Sequence, residues 1–355
     1  MNKKVIVAMS GGVDSAVAAL LVKDSGYDVG GITMKVWAED TAVHDGDDIS
    51  PDLNCIDARA IADTLNIPHH IVAYGDSFRQ HVVDRFLSDY KNGLTPNPCV
   101  ECNKHIKFGK LFESAKALGY DALATGHYAK ITKDSGGNYR LQRAADKNKD
   151  QSYFLWSVKK ELLPHVLFPL GEYTKPQIRE IAERNGFSNA HRSDSQDICF
   201  IADGNYAKFI RSQCGDAFPM GNFVDTHGNA IGQHSGLINY TVGQRKGLGV
   251  AFGVPMFVGR KNVGDNTVML CTDAQLYSDT LTAHSVNLFV DDTLEKPMRL
   301  EAKIRYRHTP AIATVTRTDE DRISVKFDLP QRAIAPGQSV VLYDGDTVVG
   351  GGIIE

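Results

Sequence analysis

No run of apolar residues in this 355-residue chain approaches the length of a membrane span, which excludes helical membrane anchoring. The first residues, Met1-Asn2-Lys3-Lys4-Val5-Ile6-Val7, carry two lysines. The apolar stretch after them is too short for a secretory leader and soon breaks into glycines, so the chain is expected in the cytoplasm. Cysteine is scarce. Six residues, Cys55, Cys99, Cys102, Cys199, Cys214 and Cys271, do not make a disulfide scaffold in a chain this long. In a reducing cytosol such thiols are buried, metal-bound or catalytic. Internal repeats and low-complexity tracts are absent as well. Net positive charge is missing too: the chain carries −4, which speaks against a uniformly basic nucleic-acid binder. The charge is unevenly spread, however, at −6 over 1–98, +5 over 99–180 and −3 over 181–355. That basic middle leaves a solvated surface and a polyanion footprint both open. What is present is ordinary: 42% hydrophobic and 23% charged residues support two or three cored domains.

The most informative segment is Ser10-Gly11-Gly12-Val13-Asp14-Ser15. It follows the apolar run 5–9 and opens an alanine-rich, helix-prone stretch at 15–23, giving strand, glycine turn and helix. Two glycines allow a tight turn and close approach of a ligand. The first helical amides have no partners within the helix and face an anion. Ser10 and Ser15 add hydroxyl donors, and Asp14 is suited to holding Mg²⁺ or orienting a donor. No lysine follows the second glycine, so this is not a Walker A loop. The segment resembles the PP-loop of ATP pyrophosphatases, which cleave ATP between the α and β phosphates and attach AMP to a substrate oxygen.

Strands are expected at 5–9, 28–35, 70–73 and 121–125, and helices at 15–23, 56–65, 78–91 and 104–118. The acidic stretch with Glu39, Asp40, Asp45, Asp47, Asp48 and Asp52 is read as an unpacked loop or lid. Alternating strands and helices imply an α/β fold with a parallel sheet and ligands at the carboxyl ends of the strands, where Gly11, Met34 and Gly126 fall. After residue 200 glycine becomes frequent and helical periodicity fades. From about residue 276 short alternating runs appear at 299–307, 312–318, 323–329, 339–343 and 347–354. They predict a small antiparallel β-barrel. The expected division is a catalytic domain over 1–200, a central domain over 201–275 and a barrel over 276–355.

Asn97-Pro98-Cys99-Val100-Glu101-Cys102 places two thiols at the start of a helix. The helix N-terminus, Lys104 and Lys107 are expected to favour their thiolates. Cys199 lies far along the chain, in Asp194-Ser195-Gln196-Asp197-Ile198-Cys199-Phe200. Each alone is equally readable as a small buried residue.

Seven segments in order change that reading. They are 10–15, 95–104 (Thr-Pro-Asn-Pro-Cys-Val-Glu-Cys-Asn-Lys), 124–128 (Ala-Thr-Gly-His-Tyr), 149–155 (Lys-Asp-Gln-Ser-Tyr-Phe-Leu), 197–201, 243–249 (Gly-Gln-Arg-Lys-Gly-Leu-Gly) and 336–339 (Pro-Gly-Gln-Ser). Together they resemble the tRNA-specific 2-thiouridylases from residue 3 to residue 355. The resemblance implies an adenine nucleotide α-hydrolase-like PP-loop domain, a tRNA-binding central domain and a tRNA-binding barrel. It also implies a reaction: ATP adenylates the 2-oxygen of a wobble uridine, and sulfur from a cysteine persulfide displaces AMP. By motif position Cys102 matches the nucleophile and Cys199 the persulfide carrier. Ala8, Met9, Ser10, Gly11, Gly12, Val13, Asp14, Ser15, Met34 and Gly126 match the ATP site. Asn97, Pro98 and Cys99 match the segment that meets the target base. The tRNA contacts are expected at His127, Lys149, Asp150, Gln151, Arg305, Tyr306 and Gln338. Some family members carry Asp at the position of Cys99. Here that residue is a thiolate base, a spare thiol or, with Cys102 and Cys199, a ligand of an iron–sulfur cluster.

The implied cofactors are ATP and Mg²⁺. The implied partners are tRNAs for Lys, Glu and Gln, and a cysteine desulfurase or sulfur-relay protein as donor. A stacked wobble base must be flipped out to react, at about a few kcal/mol. Two other readings stand beside this one: a PP-loop ligase adenylating a small carboxylate or amide, which needs neither paired thiols nor a barrel, and a non-catalytic RNA binder.

Overall fold

Val5, Ile6 and Val7 are fully buried, and successive side chains in a strand point to opposite faces. The strand therefore needs cover on both sides. The computed structural model, which describes residues 3–37, 43–46, 52–192, 198–201, 203–215, 218–249, 253–290 and 294–355, supplies it. Strand β1 (Lys4–Ala8) lies in a parallel sheet with β2 (Asp28–Lys35), β3 (His69–Ala73), β4 (Ala122–Thr125) and β7 (Val166–Leu167). The order is β3-β2-β1-β4-β7. Val5 and Val7 face a cluster with helix α1 (Val13–Asp24), α2 (Leu53–Thr64) and the helix Lys175–Arg184. Ile6 and Ile32 face the other cluster, which includes Phe78, Phe86, Ile106 and Leu111. The chain runs from β1 outward to β3, then returns to place β4 on the other side of β1. The β1–β4 boundary is thus the switch point at which parallel α/β sheets bind ligands.

Two expected helices are present but differently wound. The 75–91 helix contains a π-helical stretch, Arg79–Val83, and the 98–117 helix contains a longer one, Cys102–Leu111. The second helix begins at Pro98, a residue suited to a first helical turn, rather than at 104. The acidic stretch also differs from expectation where it is described. Asp45 accepts from the Ser77 amide at 3.0 Å, and Asp52 caps α2 by accepting from the Cys55 amide at 2.9 Å. Glu39, Asp40, Asp47 and Asp48 lie outside the described residues, as do Asp194, Ser195, Gln196 and Asp197.

The central region is not wholly without helix, since Tyr206–Cys214 is helical. Its small sheet runs β10 (Phe257–Asn262), β11 (Thr267–Cys271), β8 (Gly221–Val224), β9 (Ala230–His234) around Phe223, Tyr240, Val258 and Leu270. The C-terminal region is a closed six-stranded antiparallel barrel. Its order is β12 (Tyr277–Leu288), β15 (Arg322–Arg332), β14 (Ala311–Asp319), β13 (Met298–Lys303), β16 (Ser339–Asp344), β17 (Thr347–Ile354), with β12 pairing back onto β17. Ile323, Val325 and Phe327 fill its interior, as their alternation predicts. Strand β12 and the hairpin β5 (Lys130–Lys133)–β6 (Tyr139–Gln142) were not expected from sequence. The hairpin extends the barrel sheet from within the first domain, through Gln142 opposite Thr347. No helix among the described residues is long and apolar enough to cross a membrane.

The barrel is fastened to the parallel-sheet domain by buried polar contacts. Tyr153 donates to the Ser339 carbonyl and Trp156 to the Ser339 hydroxyl, both at 2.9 Å. The Asn287 amide donates to the carbonyls of Trp156 at 2.6 Å and Val158 at 2.9 Å, using both of its hydrogens. Asn287→Ala strips both carbonyls of their donor. It is expected to cost about 1–3 kcal/mol, read as a lower urea midpoint in equilibrium unfolding. An unchanged midpoint would mean that the interface does not depend on this amide.

Candidate active site

The glycine loop follows β1 at the switch point. Its entry is held by Thr33 on β2, whose hydroxyl donates to the Met9 carbonyl at 2.8 Å and lies 2.8 Å from His69 Nε2. With its own hydrogen committed, Thr33 accepts from Nε2–H. Burial, with Arg59 nearby, lowers the pKa of His69 to about 4 and keeps the ring neutral. Gly11 has φ +73°, and a Cβ there would lie 2.8 Å from the Asn54 carbonyl oxygen. Only glycine fits such a turn without strain. Asn189 reaches across to donate to the Gly11 carbonyl at 2.8 Å. Ser15 Oγ, at the first turn of α1, accepts from the Ser10 amide at 3.1 Å and donates to the Gly12 carbonyl at 3.0 Å. The loop is therefore preformed around the amino end of α1, an arrangement that suits an anion. Met34 is half-buried at the end of β2.

Asp14 is already engaged. Tyr128 donates to it at 2.8 Å, and the buried Lys175 Nζ reaches both carboxylate oxygens at 2.8 and 2.9 Å. Of the two roles expected for Asp14, orienting donors is the one this geometry displays. Lys175 was not foreseen. The helix start Thr174-Lys175-Pro176 was the only signal, a capping box in which Gln177 accepts from the Thr174 amide at 2.8 Å. Nothing in the sequence told that its side chain returns to residue 14.

Gly126 follows β4 and presses against α1, so closely that a Cβ would lie 3.0 Å from the Asp14 carbonyl carbon and the Ser15 amide nitrogen. The next residue turns the other way. His127 packs against the rings of Phe108 and Phe168, which also touch each other. Its Nδ1 is 2.7 Å from Thr125 Oγ1 and its Nε2 is 3.3 Å from Lys107 Nζ. Lysine can only donate, so Nε2 is the acceptor and the ring proton is on Nδ1. Burial, and then Lys107, hold His127 well below the usual imidazole range.

Lys107 lies near the thiols. It acts electrostatically on Cys99, Cys102 and Cys199, and the three thiols also influence one another. The structure thus gathers side chains separated by about a hundred residues. Cys199 is held by its neighbour Phe200, buried among Phe78, Phe86 and Phe209 at ring-centroid distances of 5.3–5.6 Å. Cys102 is buried, whereas Cys99 and Cys199 touch solvent. The expected thiolates are not what this site favours at rest. Burial pushes all three thiols up, Cys102 to about 12, and Lys107 only partly opposes it. Lys104 acts instead on Glu101. Although solvent reaches Cys99 and Cys199, they lie low among protein groups that displace most of the water, so desolvation wins.

The 94–98 segment is gripped from two sides. The Thr95 amide donates to the Pro336 carbonyl at 2.9 Å, and Gln338 Nε2 donates to the carbonyls of Thr95 at 2.8 Å and Pro96 at 3.4 Å. Lys261 of the central sheet reaches the Leu94 carbonyl at 3.4 Å. Asn97 then leads into buried Pro98 at the helix start.

The remaining expected RNA contacts divide. Asp150 is buried and accepts from the Ala144 and Ser152 amides at 3.0 and 3.2 Å and from the Ser152 hydroxyl at 2.9 Å. Its carboxylate is thus spent on the turn. Gln151 Oε1 accepts from the Tyr128 amide at 3.0 Å, and Lys149 lies half-buried beside it. Arg305 donates to the Arg332 carbonyl at 3.1 Å. Tyr306 packs on Phe154, ring centroids 4.5 Å apart, with Lys303 over its ring at 5.4 Å. His127 and Gln338 both spend the atoms just described inside the protein.

A family model described as "tRNA methyl transferase HUP domain" matches residues 3–203. Others described as "tRNA methyl transferase PRC-barrel domain" and "Aminomethyltransferase beta-barrel domain" match 207–272 and 278–354. A Clostridioides difficile protein named tRNA-specific 2-thiouridylase MnmA is 49% identical over 358 residues, covering 100% of this chain and 99% of that one. Proteins of the same name from Clostridium perfringens and Acetivibrio thermocellus are each 46% identical over 355 and 359 residues, covering 100% of this chain and 99% of theirs.

The raised thiols set a measurable expectation. At pH 7 iodoacetamide should label Cys99 and Cys199 more slowly than free cysteine and Cys102 slowest of all, with rates climbing as pH rises past 9. Labelling of Cys99 or Cys199 at the free-cysteine rate would show that burial does not dominate there.

Proposed function

This chain belongs to the family of tRNA-specific 2-thiouridylases, and from that premise we propose that it thiolates the wobble uridine of tRNA at the expense of ATP. What carries the reading is one juncture: Gly126 packs on the nucleotide loop, and His127 beside it holds the lysine that lies near the three thiols. Activation and sulfur delivery thus adjoin.

ATP would lie on residues 8–15, with Met34 and Gly126 beside it, its phosphates on the amides opening α1. When bound, ATP supplies an adenylyl group that turns the uridine 2-oxygen into a leaving group. Mg²⁺ would ride on phosphate oxygens and water, as is usual for this ion, because Asp14 is held by Lys175 and Tyr128. Among the described residues no three His, Cys, Asp or Glu side chains are grouped as metal ligands. The reaction course below therefore runs no step through an iron–sulfur cluster.

Cys199, the more accessible of the reacting pair, is the persulfide carrier in this reading. Its outer sulfur forms a bond to uridine C2 and AMP departs with the former 2-oxygen. Cys102, as thiolate, then attacks Cys199 Sγ. A Cys102–Cys199 disulfide forms, the bond from Cys199 Sγ to the delivered sulfur breaks, and that electron pair leaves with the sulfur of 2-thiouridine. The proton lost by Cys102 goes to solvent, and a dithiol reductant reopens the disulfide for the next cycle. Asn97, Pro98 and Cys99 meet the flipped base. Lys149, Gln151, Arg305 and Tyr306 grip tRNA, while His127, Asp150 and Gln338 support that surface from behind. The acceptors are tRNAs for Lys, Glu and Gln in the cytoplasm, with sulfur from a cysteine desulfurase or relay protein.

Purified protein carrying the Cys199 persulfide and given ATP is expected to release AMP and pyrophosphate only when unmodified tRNA is present. Cys199→Ser should retain tRNA-dependent adenylation, read as pyrophosphate release, and yield no 2-thiouridine by nucleoside mass spectrometry. Thiolated tRNA from that variant would remove Cys199 as carrier. AMP release driven by a small carboxylate or amide in place of tRNA would favour the ligase reading.

A further inference from the structure

We propose that the Lys107 ammonium serves the two reacting sulfurs, on Cys199 and then on Cys102, in succession, and that His127 aims it. The inference deepens the reaction course above and rests on that reading for its chemistry.

The first support is register. Five residues separate Cys102 from Lys107, and in an α-helix they would point about 140° apart. The helix is π-wound from Cys102 to Leu111, and its i→i+5 bonding brings residue 107 back over residue 102. The second support is the anchor. Lys107 Nζ lies 3.3 Å from His127 Nε2, and that imidazole is fixed as an acceptor by Thr125 on its other nitrogen. A buried neutral ring can orient an ammonium without neutralising it, as a carboxylate would. Glu101, on the same helix as Lys107, is engaged by Arg85 and His105 at 3.6 and 3.4 Å. The third support is convergence: Lys107 is the cation opposing desolvation at Cys99, at Cys102 and at Cys199.

The reaction needs such a charge at successive places. Negative charge sits first on the Cys199 persulfide, then on the Cys102 thiolate that attacks Cys199 Sγ, and finally on the sulfur departing with the base. No proton or electron passes through Lys107 in any of these steps. A single ammonium near both sulfurs stabilises each anion in turn, and the buried site strengthens its effect.

The test compares Lys107→Gln, which removes the charge at similar length, with Lys107→Arg, which keeps it, and with His127→Phe, which keeps the ring packing and removes the acceptor. The first readout is the pH profile of iodoacetamide alkylation at Cys99 and Cys199, resolved by peptide mass spectrometry and requiring neither ATP nor tRNA. Lys107→Gln should move both midpoints up by about one pH unit, roughly a tenfold slower rate below them. Lys107→Arg should restore them, and His127→Phe should fall between. The second readout is 2-thiouridine formed per AMP released in a single turnover, expected to drop about tenfold in Lys107→Gln and to recover in Lys107→Arg. Midpoints unchanged in Lys107→Gln, or no recovery in Lys107→Arg, overturn the role of Lys107. A wild-type protein carrying the Cys199 persulfide that releases no AMP with tRNA overturns the reaction course, while the alkylation profile still judges the lysine.

Discussion

Everything in this molecule turns on the last residue of strand β4 and the two that follow it. Thr125, Gly126 and His127 stand at the switch point of the parallel sheet, opposite the end of β1. Gly126 must lack a side chain because α1 is already in contact with it. His127 must be neutral because it is buried and accepts from a lysine. One turn of backbone therefore serves an anion-binding loop on one side and a sulfur site on the other. A strand end is rigid, so the spacing between the two sites is set by the sheet rather than by loop motion.

The other two regions act on that juncture through its third edge. The 93–98 segment, which leads into Cys99 and Cys102, is tied by backbone and amide hydrogen bonds to the barrel at Pro336 and Gln338 and to the central sheet at Lys261. The barrel in turn is bolted to the parallel-sheet domain through Tyr153, Trp156, Asn287 and Ser339. The barrel, proposed above to grip RNA, is thus also the element that holds the 93–98 segment.

Legibility in the sequence followed the range of the interactions. The strand–glycine–helix loop is local, and it was readable from six residues. Ile323, Val325 and Phe327 announced a barrel because their burial alternates without interruption. Strand β12 did not announce itself, since register shifts between Ser278 and Thr280 and between His284 and Asn287 break its alternation. Lys175 returns to Asp14 across 161 residues, a contact no local pattern encodes. Asp150 and Gln338 were identified as polar and functional, but polarity does not tell whether an amide or carboxylate faces outward or is spent on backbone inside. The thiols are the sharpest case. Helix terminus and lysines argued for thiolates, and both are local. Burial is a property of the assembled site, and it outweighs them.

The central claim is that Cys102 and Cys199 meet at one ammonium beside the nucleotide loop and exchange a sulfur there. Its most direct measurement is a single turnover with Cys199 loaded as persulfide, ATP and unmodified tRNA, quenched in acid and mapped by peptide mass spectrometry. The account predicts a Cys102–Cys199 disulfide in amounts matching the 2-thiouridine formed. Full conversion of tRNA with Cys102 recovered as a free thiol would contradict it.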